Sequence, residues 1–261
     1  MRTNVTRETR TLPVVAAGPV DMPHPILGWS ETFDHDITWT EHSHPWHELL
    51  WNERGASTAV VGSRVWTVTP ALGLWMPAGT LHSGSAVAGT RCRAGFFGYD
   101  TMTSISAAPV GVEITPLLRL LLDRLADAEL PAASRGLTEA MVLDVLTPSP
   151  RELLLRMPTS GLLRPIAETV RDDPGDSRTL ADWAAQLGVS VRTISRAFNA
   201  ETGMSFARWV AAARAQHAVG LLAQGRALEA VAEEVGYRSA SAFGAAFRRT
   251  TGLTPGAFRA R

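Results

Sequence analysis

The sequence has little of what marks a secreted or membrane protein. Its 261 residues include a single cysteine, Cys92, so no intrachain disulfide can form and nothing indicates an oxidising compartment. No run approaches the ~18 consecutive apolar residues of a membrane span, so no membrane partner is expected. The apolar run after Arg7 and Arg10 is short and broken by proline and glycine, unlike the apolar region of a signal peptide. Cytoplasm is therefore the expected location.

Net charge is also lacking, because 25 basic residues balance 25 acidic ones. The balance hides an asymmetry along the chain. Residues 163–261 hold 13 arginines against nine aspartates and glutamates, a difference of +4, which leaves −4 for the remainder. A basic excess at the C-terminal end suits a nucleic-acid partner. The length predicts two domains of ordinary size.

The N-terminal part is predicted to be rich in β-strands. Residues 1 to about 25 show no periodicity and are interpreted as an irregular lead-in. From about Ile26 to Tyr99, short β-rich runs separated by glycine and proline follow one another, among them Ser57–Val61, Arg64–Val68 and Leu72–Met76. Evenly spaced short strands of this kind predict a sandwich or barrel.

Two helical segments follow, and then a boundary. Apolar residues recur at helical spacing over Pro116–Ala126 and again over Thr138–Leu146. These helices either cover the β-domain or form a dimer surface. Proline and glycine over 147–150 and 158–161 interrupt regular structure, so the predicted division is a first domain over 1–147, a linker over 148–162 and a helical domain over 163–261.

An internal repeat is the strongest signal of the second domain. Residues 184–209 match residues 232–258, and one residue is inserted in the second copy. The matched positions are Ala184 with Ala232, Gly188 with Gly236, Ser190 with Ser239, Phe198 with Phe247, and Thr202-Gly203 with Thr251-Gly252. Each copy is predicted as a helix, a glycine-containing turn and a second helix with serine near its N-cap, which is the helix-turn-helix arrangement.

The second helix of each copy is predicted to bind DNA, but with different chemistry. In the first copy, Val191, Ile194 and Phe198 form an apolar face, and the opposite face carries hydrogen-bonding side chains suited to bases and phosphates. In the second copy the corresponding positions are Ser241, Gly244, Ala245 and Arg248. The predicted contacts are Ser190, Arg192, Ser195, Arg196, Asn199, Ser239, Ser241, Ala245, Arg248 and Arg249. We hypothesise that the first copy reads bases, whereas in the second the small residues approach the groove and the arginines neutralise phosphates.

A continuous helix is predicted between the copies, over Ser205–Ala223. Its 19 residues span roughly 28 Å at about 1.5 Å per residue. Major-groove faces recur about every 34 Å along one side of B-DNA, so the two reading helices are expected to occupy consecutive turns.

The C-terminal residues resemble the AraC/XylS family of transcription regulators. The resemblance covers about residues 163–261 and rests on Ala184–Gly203, Gly236-Tyr237, Phe247 and Thr251–Pro255. It implies a seven-helix domain that binds double-stranded promoter DNA through two adjacent major-groove contacts. It also implies RNA polymerase as a partner, as in a transcriptional activator, and a homodimer is expected.

The predicted N-terminal domain contains four candidate metal ligands. His42, His44 and Glu48 share parity on a regular strand, and His82 follows a predicted turn, whereas His47 has the opposite parity and is expected outside the group. Three imidazoles and one carboxylate suit a divalent transition metal, with zinc, nickel, iron and manganese left open.

The same residues resemble the cupin family of small β-barrels. The motifs H-x-H-x3-E-x6-G and P-x-G-x2-H are both present, from His42 to Gly55 and from Pro77 to His82. The sequence departs from the family at Asp36, Ala71 and Ala86. The resemblance implies a barrel that holds a metal, a small organic effector, or neither if it serves only dimer contacts.

Together these features predict an α+β protein of two domains, a cupin-type β-barrel with accessory helices and an all-α double helix-turn-helix. The predicted function is a sequence-specific DNA-binding transcription regulator whose first domain senses a small effector, a divalent metal, or both. One alternative is a cupin metalloenzyme fused to a DNA-binding domain, although no acid, base or nucleophile is evident beyond the metal ligands, so no catalytic residue is assigned. The other alternative is a ligand-independent DNA-binding protein with a degenerate barrel.

Overall fold

A computed structural model describes residues 7–149 and 151–259, without the side chains of Ala257 and Arg259. The first six residues of the predicted lead-in, Pro150 in the predicted linker and the last two residues lie outside this description. The chain divides into two units, one of residues 1–62 and 66–153 and the other of residues 63–65 and 154–261. Within the described residues no helix combines the length and the apolar character needed to cross a bilayer.

Ten strands of the first unit form two sheets. One sheet has the order β1-β3-β8-β5-β6, and the other has the order β10-β7-β4-β9-β2. The strands are β1 (Arg7–Arg10), β2 (Ile26–Thr32), β3 (Asp36–His42), β4 (His47–Arg54), β5 (Ser57–Val61), β6 (Arg64–Val68), β7 (Leu72–Met76), β8 (His82–Ala86), β9 (Arg91–Phe97) and β10 (Val110–Glu113). The predicted β-rich N-terminal domain is therefore confirmed.

The prediction that residues 1 to about 25 are irregular was wrong in one respect, because β1 lies within them. This strand runs parallel to β3, with Arg7 opposite Asp36 and Arg10 opposite Trp39. A strand of four residues carries too little periodicity to be recognised along the sequence, and its pairing depends on a partner nearly thirty residues away.

Strand alternation sends the side chains of β4 to two different environments. Leu49 and Trp51 enter a core cluster with the first helices, whereas Glu48, Leu50 and Asn52 line a cavity that Trp51 also borders. The helices are α1 (Pro116–Leu125) and α2 (Ala132–Val145), and α2 begins six residues before the predicted start. Both helices contribute to the cluster, so they cover the β-domain, which is one of the two alternatives predicted from the sequence.

The second unit is helical, as predicted, apart from the short strand β11 (Leu154–Arg156). Its helices within the described residues are α3 (Arg164–Asp172), α4 (Leu180–Leu187), α5 (Val191–Thr202), α6 (Phe206–Ala223), α7 (Leu228–Glu234), α8 (Ala240–Thr251) and α9 (Pro255–Arg259). The predicted connecting helix is α6, with Ser205 as its N-cap. Trp183, Ile194, Phe198 and Trp209 form the centre of the core around the first copy.

The repeat is visible in the backbone. Gly188 and Gly236 follow α4 and α7 with φ of 65° and 76°, and Gly203 and Gly252 end α5 and α8 with φ of 72° and 76°. A left-handed residue ends a helix by turning the chain away, and glycine adopts that conformation without steric cost. The expected apolar face of α5 needs one correction, because Val191 at its first position is 45% exposed.

Candidate metal centre and nucleic-acid interface

The three predicted histidine ligands lie on separate segments of the first unit. His42 ends β3, His82 begins β8 directly opposite it, and His44 lies on the connection between β3 and β4. Residues 42–48 therefore do not form one regular strand, and the parity argument for them was wrong. Strand pairing, rather than shared parity, brings these side chains together.

The geometry gathers the three predicted histidine ligands and places Glu48 beside two of them. One ligand nitrogen each of His42, His44 and His82 can be chosen so that the three lie within 4.8 Å of one another. The Oε2 atom of Glu48 lies 3.7 Å from Nε2 of His44 and 3.7 Å from Nε2 of His82. The result is a compact cluster of imidazole nitrogens with one carboxylate oxygen beside it.

Backbone carbonyls orient two of the imidazoles. The Nδ1 of His42 lies 2.7 Å from the carbonyl oxygen of Thr40, and the Nδ1 of His82 lies 2.9 Å from that of Thr80. Since a carbonyl oxygen only accepts, both Nδ1 atoms carry the proton and donate it. Each Nε2 then keeps a free lone pair, and this is the arrangement by which proteins hold metal-binding histidines.

Burial sets the protonation of His44, His82 and Glu48. It lowers the pKa of His44 and of His82 to about 4, with the neighbouring histidines adding to the effect, and it raises the pKa of Glu48 to about 8. Without a cation between them, the close histidine–glutamate approaches are thus contacts of neutral groups rather than ion pairs. Oε2 of Glu48 is buried and has no hydrogen-bond partner among the described residues, so the donor set fits a cation that would coordinate it.

His47 lies in a different environment from the histidine cluster. Its Nδ1 accepts a hydrogen bond from the backbone N–H of Ala78 at 2.9 Å, and its ring stacks on Trp75 and Tyr99. The side chain is buried rather than solvent-exposed, and that burial lowers its pKa. It supports the turn that leads into β8.

A cavity of about 290 Å³ opens beside the histidine cluster, lined by residues of both sheets. Its tryptophan and phenylalanine side chains are Trp29, Trp39 and Phe96, which are half-buried, and Trp51, which is buried. Arg10 and Glu31 also line it and bind each other through two hydrogen bonds of 2.8 and 2.7 Å. Sequence reasoning did not identify this cavity, because its walls come from strands scattered along the chain.

The predicted contacts on α5 share one solvent-exposed face. Arg192, Ser195, Arg196 and Asn199 are exposed, whereas Ile194 and Phe198 on the opposite face are fully buried. Ser190 caps the helix, since its Oγ accepts a hydrogen bond from the N–H of Thr193 at 3.1 Å. The four exposed side chains are therefore free to meet a ligand along the length of the helix.

The corresponding face of α8 is exposed as well, but its side chains differ. Ser241, Ala245, Arg248 and Arg249 all face solvent, and Ser239 caps the helix by accepting from the N–H of Ala242 at 3.2 Å. A Cβ built on Gly244 would meet no heavy atom within 4 Å, so packing within the protein does not require glycine there. Small side chains on this face allow a close approach of a groove.

Arginine supplies every positive charge of this surface, because the sequence contains no lysine. Arg192, Arg196, Arg248 and Arg249 form no ion pair with any residue that the structure describes. Sequence reasoning missed Arg238, which is exposed in the turn before α8. The available signal was the repeat itself, since the second copy carries an additional residue between its glycine and its N-cap serine.

Arg214 on α6 links the segment before α4 to the turn of the second copy. Its Nε donates to the carbonyl of Pro174 at 2.8 Å and its Nη2 donates to that of Asp176 at 2.9 Å, both in the turn before α4. The same guanidinium lies over the ring of Tyr237, in the turn between α7 and α8. One side chain thus contacts the segment that precedes the first helix-turn-helix copy and the turn within the second copy.

Comparison with known proteins assigns a family to each part of the chain. Residues 28–141 match the AraC-like ligand binding domain, and residues 183–261 match a helix-turn-helix domain. The histidine cluster and all the residues that line the cavity, except Arg10 and Leu12, lie within the first match. Both exposed helical faces lie within the second.

Three curated proteins illustrate the similarity. The HTH-type transcriptional regulator NimR of Escherichia coli (strain K12) is 28% identical over 231 residues, covering 87% of this chain and 84% of NimR. RipA of Corynebacterium glutamicum is 39% identical over 102 residues, covering 39% of this chain and 31% of RipA. The transcriptional activator NphR of Rhodococcus sp is 40% identical over 82 residues, covering 31% of this chain and 24% of NphR. The chain therefore spans most of NimR but less than a third of RipA and of NphR.

Proposed function

The chain is a member of the AraC family of DNA-binding transcription regulators, and we propose that its effector-sensing domain is a cupin-type barrel that holds a divalent transition metal. The ligands are His42, His44 and His82, with Glu48 as the oxygen donor. A metal held by these residues would supply an electrophilic centre for an effector atom.

One observation carries this proposal. Two of the three imidazoles have their Nδ1–H groups held by backbone carbonyls, so their Nε2 atoms are presented to the same place as a buried carboxylate oxygen without a partner. A histidine cluster that served only packing has no need of an unpartnered carboxylate, which costs free energy. Nitrogen and oxygen donors of this kind suit zinc, nickel, iron or manganese.

For the DNA-binding domain, we propose that the two copies divide their roles. Arg192, Ser195, Arg196 and Asn199 on α5 read base edges in one major-groove segment, while Ser190 caps that helix. On α8, Ser241 and Ala245 approach the groove, Ser239 caps the helix, and Arg248 and Arg249 neutralise phosphates, assisted by Arg238. The basis is the contrast between a hydrogen-bonding face and a face of small residues ended by two arginines.

We further propose that the regulator is a homodimer joined through the accessory helices. Leu117 and Leu120 on α1 and Leu137 and Met141 on α2 are between 47% and 71% exposed, which is unusual for large apolar side chains on helices that also contribute to a core. Occupation of the barrel would then change DNA affinity only if the effector binds one dimeric arrangement better than another.

The direction of regulation is proposed from similarity. NphR is named a transcriptional activator, and we propose that this chain likewise activates transcription in the cytoplasm by contacting RNA polymerase beside its promoter site. No observation favours a fused enzyme, since the relatives are named regulators and Arg10 and Glu31, the charged pair within the cavity, bind each other.

Elemental analysis of the purified full-length protein, together with a promoter-DNA titration before and after chelation, tests the metal proposal. We expect about one metal ion per chain, lost in His82→Ala, and altered DNA affinity after chelation. His24→Ala is the matched control because His24 is exposed and lies outside the cluster. Equal metal content in the two variants, or none in the unsubstituted protein, contradicts the proposal.

A further inference from the structure

The cavity and the proposed metal centre are parts of one space. Glu48, Leu50 and Asn52 follow one another on the same face of β4, and all three line the cavity together with His42, His44 and His82. A molecule in the cavity would therefore have the metal at one end and the side chains of both sheets along its length. The chemistry of those side chains limits what that molecule is.

The hydrogen-bonding groups of the walls are largely engaged with one another. Asn52 donates through Nδ2 to the carbonyl of Val68 at 2.8 Å and to Ser57 at 3.1 Å, and Ser57 donates back to Oδ1 of Asn52. The hydroxyl of Thr58 is bonded to that of Ser85. A polyhydroxylated ligand such as a sugar needs many partners, and each of its hydroxyls that lacks one loses affinity.

Aromatic side chains of the cavity offer a ligand the contacts that its engaged polar groups do not. Trp29, Trp39 and Phe96 line the cavity and remain half-buried, so part of each ring faces the empty space. Flat apolar ligands stack on such rings or meet their edges. The volume of about 290 Å³ lies at the lower end of the range of ligand pockets, which begins near ~300 Å³, and so fits a small molecule.

The charges around the cavity favour an anion. Arg10 is paired with Glu31 and Glu8, and Arg93 is paired with Glu53 and Asp123, so the charge that an effector would meet is that of the metal. A divalent metal held by neutral imidazoles and the single carboxylate of Glu48 keeps a net charge of +1. A charge left uncompensated in a site of low polarity is unfavourable, and an anionic ligand atom removes it.

We infer that the effector is a small, flat organic anion such as an aromatic carboxylate, whose anionic oxygen ligates the metal and whose apolar body lies against Trp29, Trp39 and Phe96. This inference rests on the proposed metal centre and assigns the chemical class of what that centre binds. It excludes sugars as effectors of this chain.

The test uses full-length protein loaded with Co²⁺, whose visible absorption reports changes in the ligands of the ion. Benzoate and phenylacetate are the probes, and calorimetry measures their affinity. Three further compounds are controls: benzamide lacks the charge, acetate lacks the ring, and L-arabinose offers hydroxyls in place of both. We expect the aromatic carboxylates to change the cobalt spectrum and to bind at least about tenfold more tightly than each control, and to lose that binding in metal-free protein.

A variant at Trp29 separates the contribution of the ring contacts to benzoate affinity from the contribution of the metal. Trp29→Leu keeps an apolar side chain on β2 and removes one aromatic surface, so benzoate affinity should fall about tenfold while cobalt content stays the same. Trp29→Phe should restore part of the loss. Val20→Ala is the control, because Val20 is exposed and lies outside this cavity.

The outcomes distinguish the two levels of the proposal. If Co²⁺ does not bind at the histidines, both the metal centre and this inference are wrong. If Co²⁺ binds but no aromatic carboxylate changes its spectrum up to millimolar concentration, or if arabinose binds as tightly, the metal centre stands and the effector class is wrong. Equal binding of benzoate with and without metal also contradicts the inference.

Discussion

The two helix-turn-helix copies have the same backbone plan and different surfaces. In both, a glycine with positive φ ends the first helix, a serine caps the second, and a second glycine ends that helix. Phe198 and Phe247 occupy matching, fully buried positions. The exposed faces differ, with Arg196 in the first copy where the second has Ala245. A repeat therefore preserves what folding requires while the surface of each copy changes separately.

The largest expected effect tests the shared core. Phe198→Ala and Phe247→Ala should each lower the free energy of unfolding by about 3–5 kcal/mol, since each removes a buried ring and leaves a cavity. Denaturant unfolding of the full chain measures both values. A loss in one copy that is several times the loss in the other would show that the two cores are not equivalent.

The second largest effect is expected for Arg214, which contacts the segment before α4 and the turn of the second copy. Arg214→Ala should cost about 3 kcal/mol of unfolding free energy, because it removes two charge-assisted hydrogen bonds to carbonyls of the turn before α4 and a ring contact with Tyr237. Binding to DNA that carries both half-sites should weaken more than binding to either half alone. The exposed Arg171→Ala is the control. If affinity for the whole and for the halves falls equally, Arg214 does not set the relation of the copies.

The surfaces should differ in specificity. Arg196→Ala should cost about 1–3 kcal/mol of binding to the preferred site and relax selectivity in one half of it. Arg248→Ala should weaken binding to all sequences alike and reduce the slope of log affinity against log salt by about one. Binding-site selection and salt titrations measure these effects. Two equally informative half-sites would contradict the proposed division of roles.

The smallest effect is expected for the serines that cap α5 and α8 in the two copies. Ser190→Ala and Ser239→Ala should each lower stability by about 1 kcal/mol, because each serine oxygen accepts a hydrogen bond from an N–H of the first helical turn. Thermal unfolding of the two variants beside Ser241→Ala, which leaves both caps intact, checks this. A change for Ser241→Ala as large as for the caps would mean that capping is not the cause.

Most of the second domain was predictable because its signals are local. Helix periodicity, N-cap serines and C-terminal glycines act within a few residues of one another, so the order of helices could be read along the chain. Val191 is the exception, since it fits the apolar periodicity of α5 but lies at the exposed start of that helix. Whether the exposed residues bind DNA stays a prediction.

The first domain was predictable in composition more than in arrangement. The residue types and spacing of His42, His44, Glu48 and His82 indicated a metal site, but the reason given, one regular strand, was wrong. The chain leaves the strand after His42, and the pairing of β3 with β8 places His82 opposite. Pairing between distant strands cannot be deduced from periodicity within one strand, and for the same reason β1 was missed.

The sequence by itself determined the two classes of structure, the duplicated helix-turn-helix and the identity of the candidate metal ligands, because these depend on local propensity and on residue type. Only the tertiary structure decided that Oε2 of Glu48 is buried without a hydrogen-bond partner among the described residues, and that Arg214 contacts both the segment before α4 and the turn of the second copy. It also decided that tryptophan and phenylalanine rings line a cavity beside the histidines. Those properties arise from burial and from contacts between segments far apart in the chain, which no local pattern records.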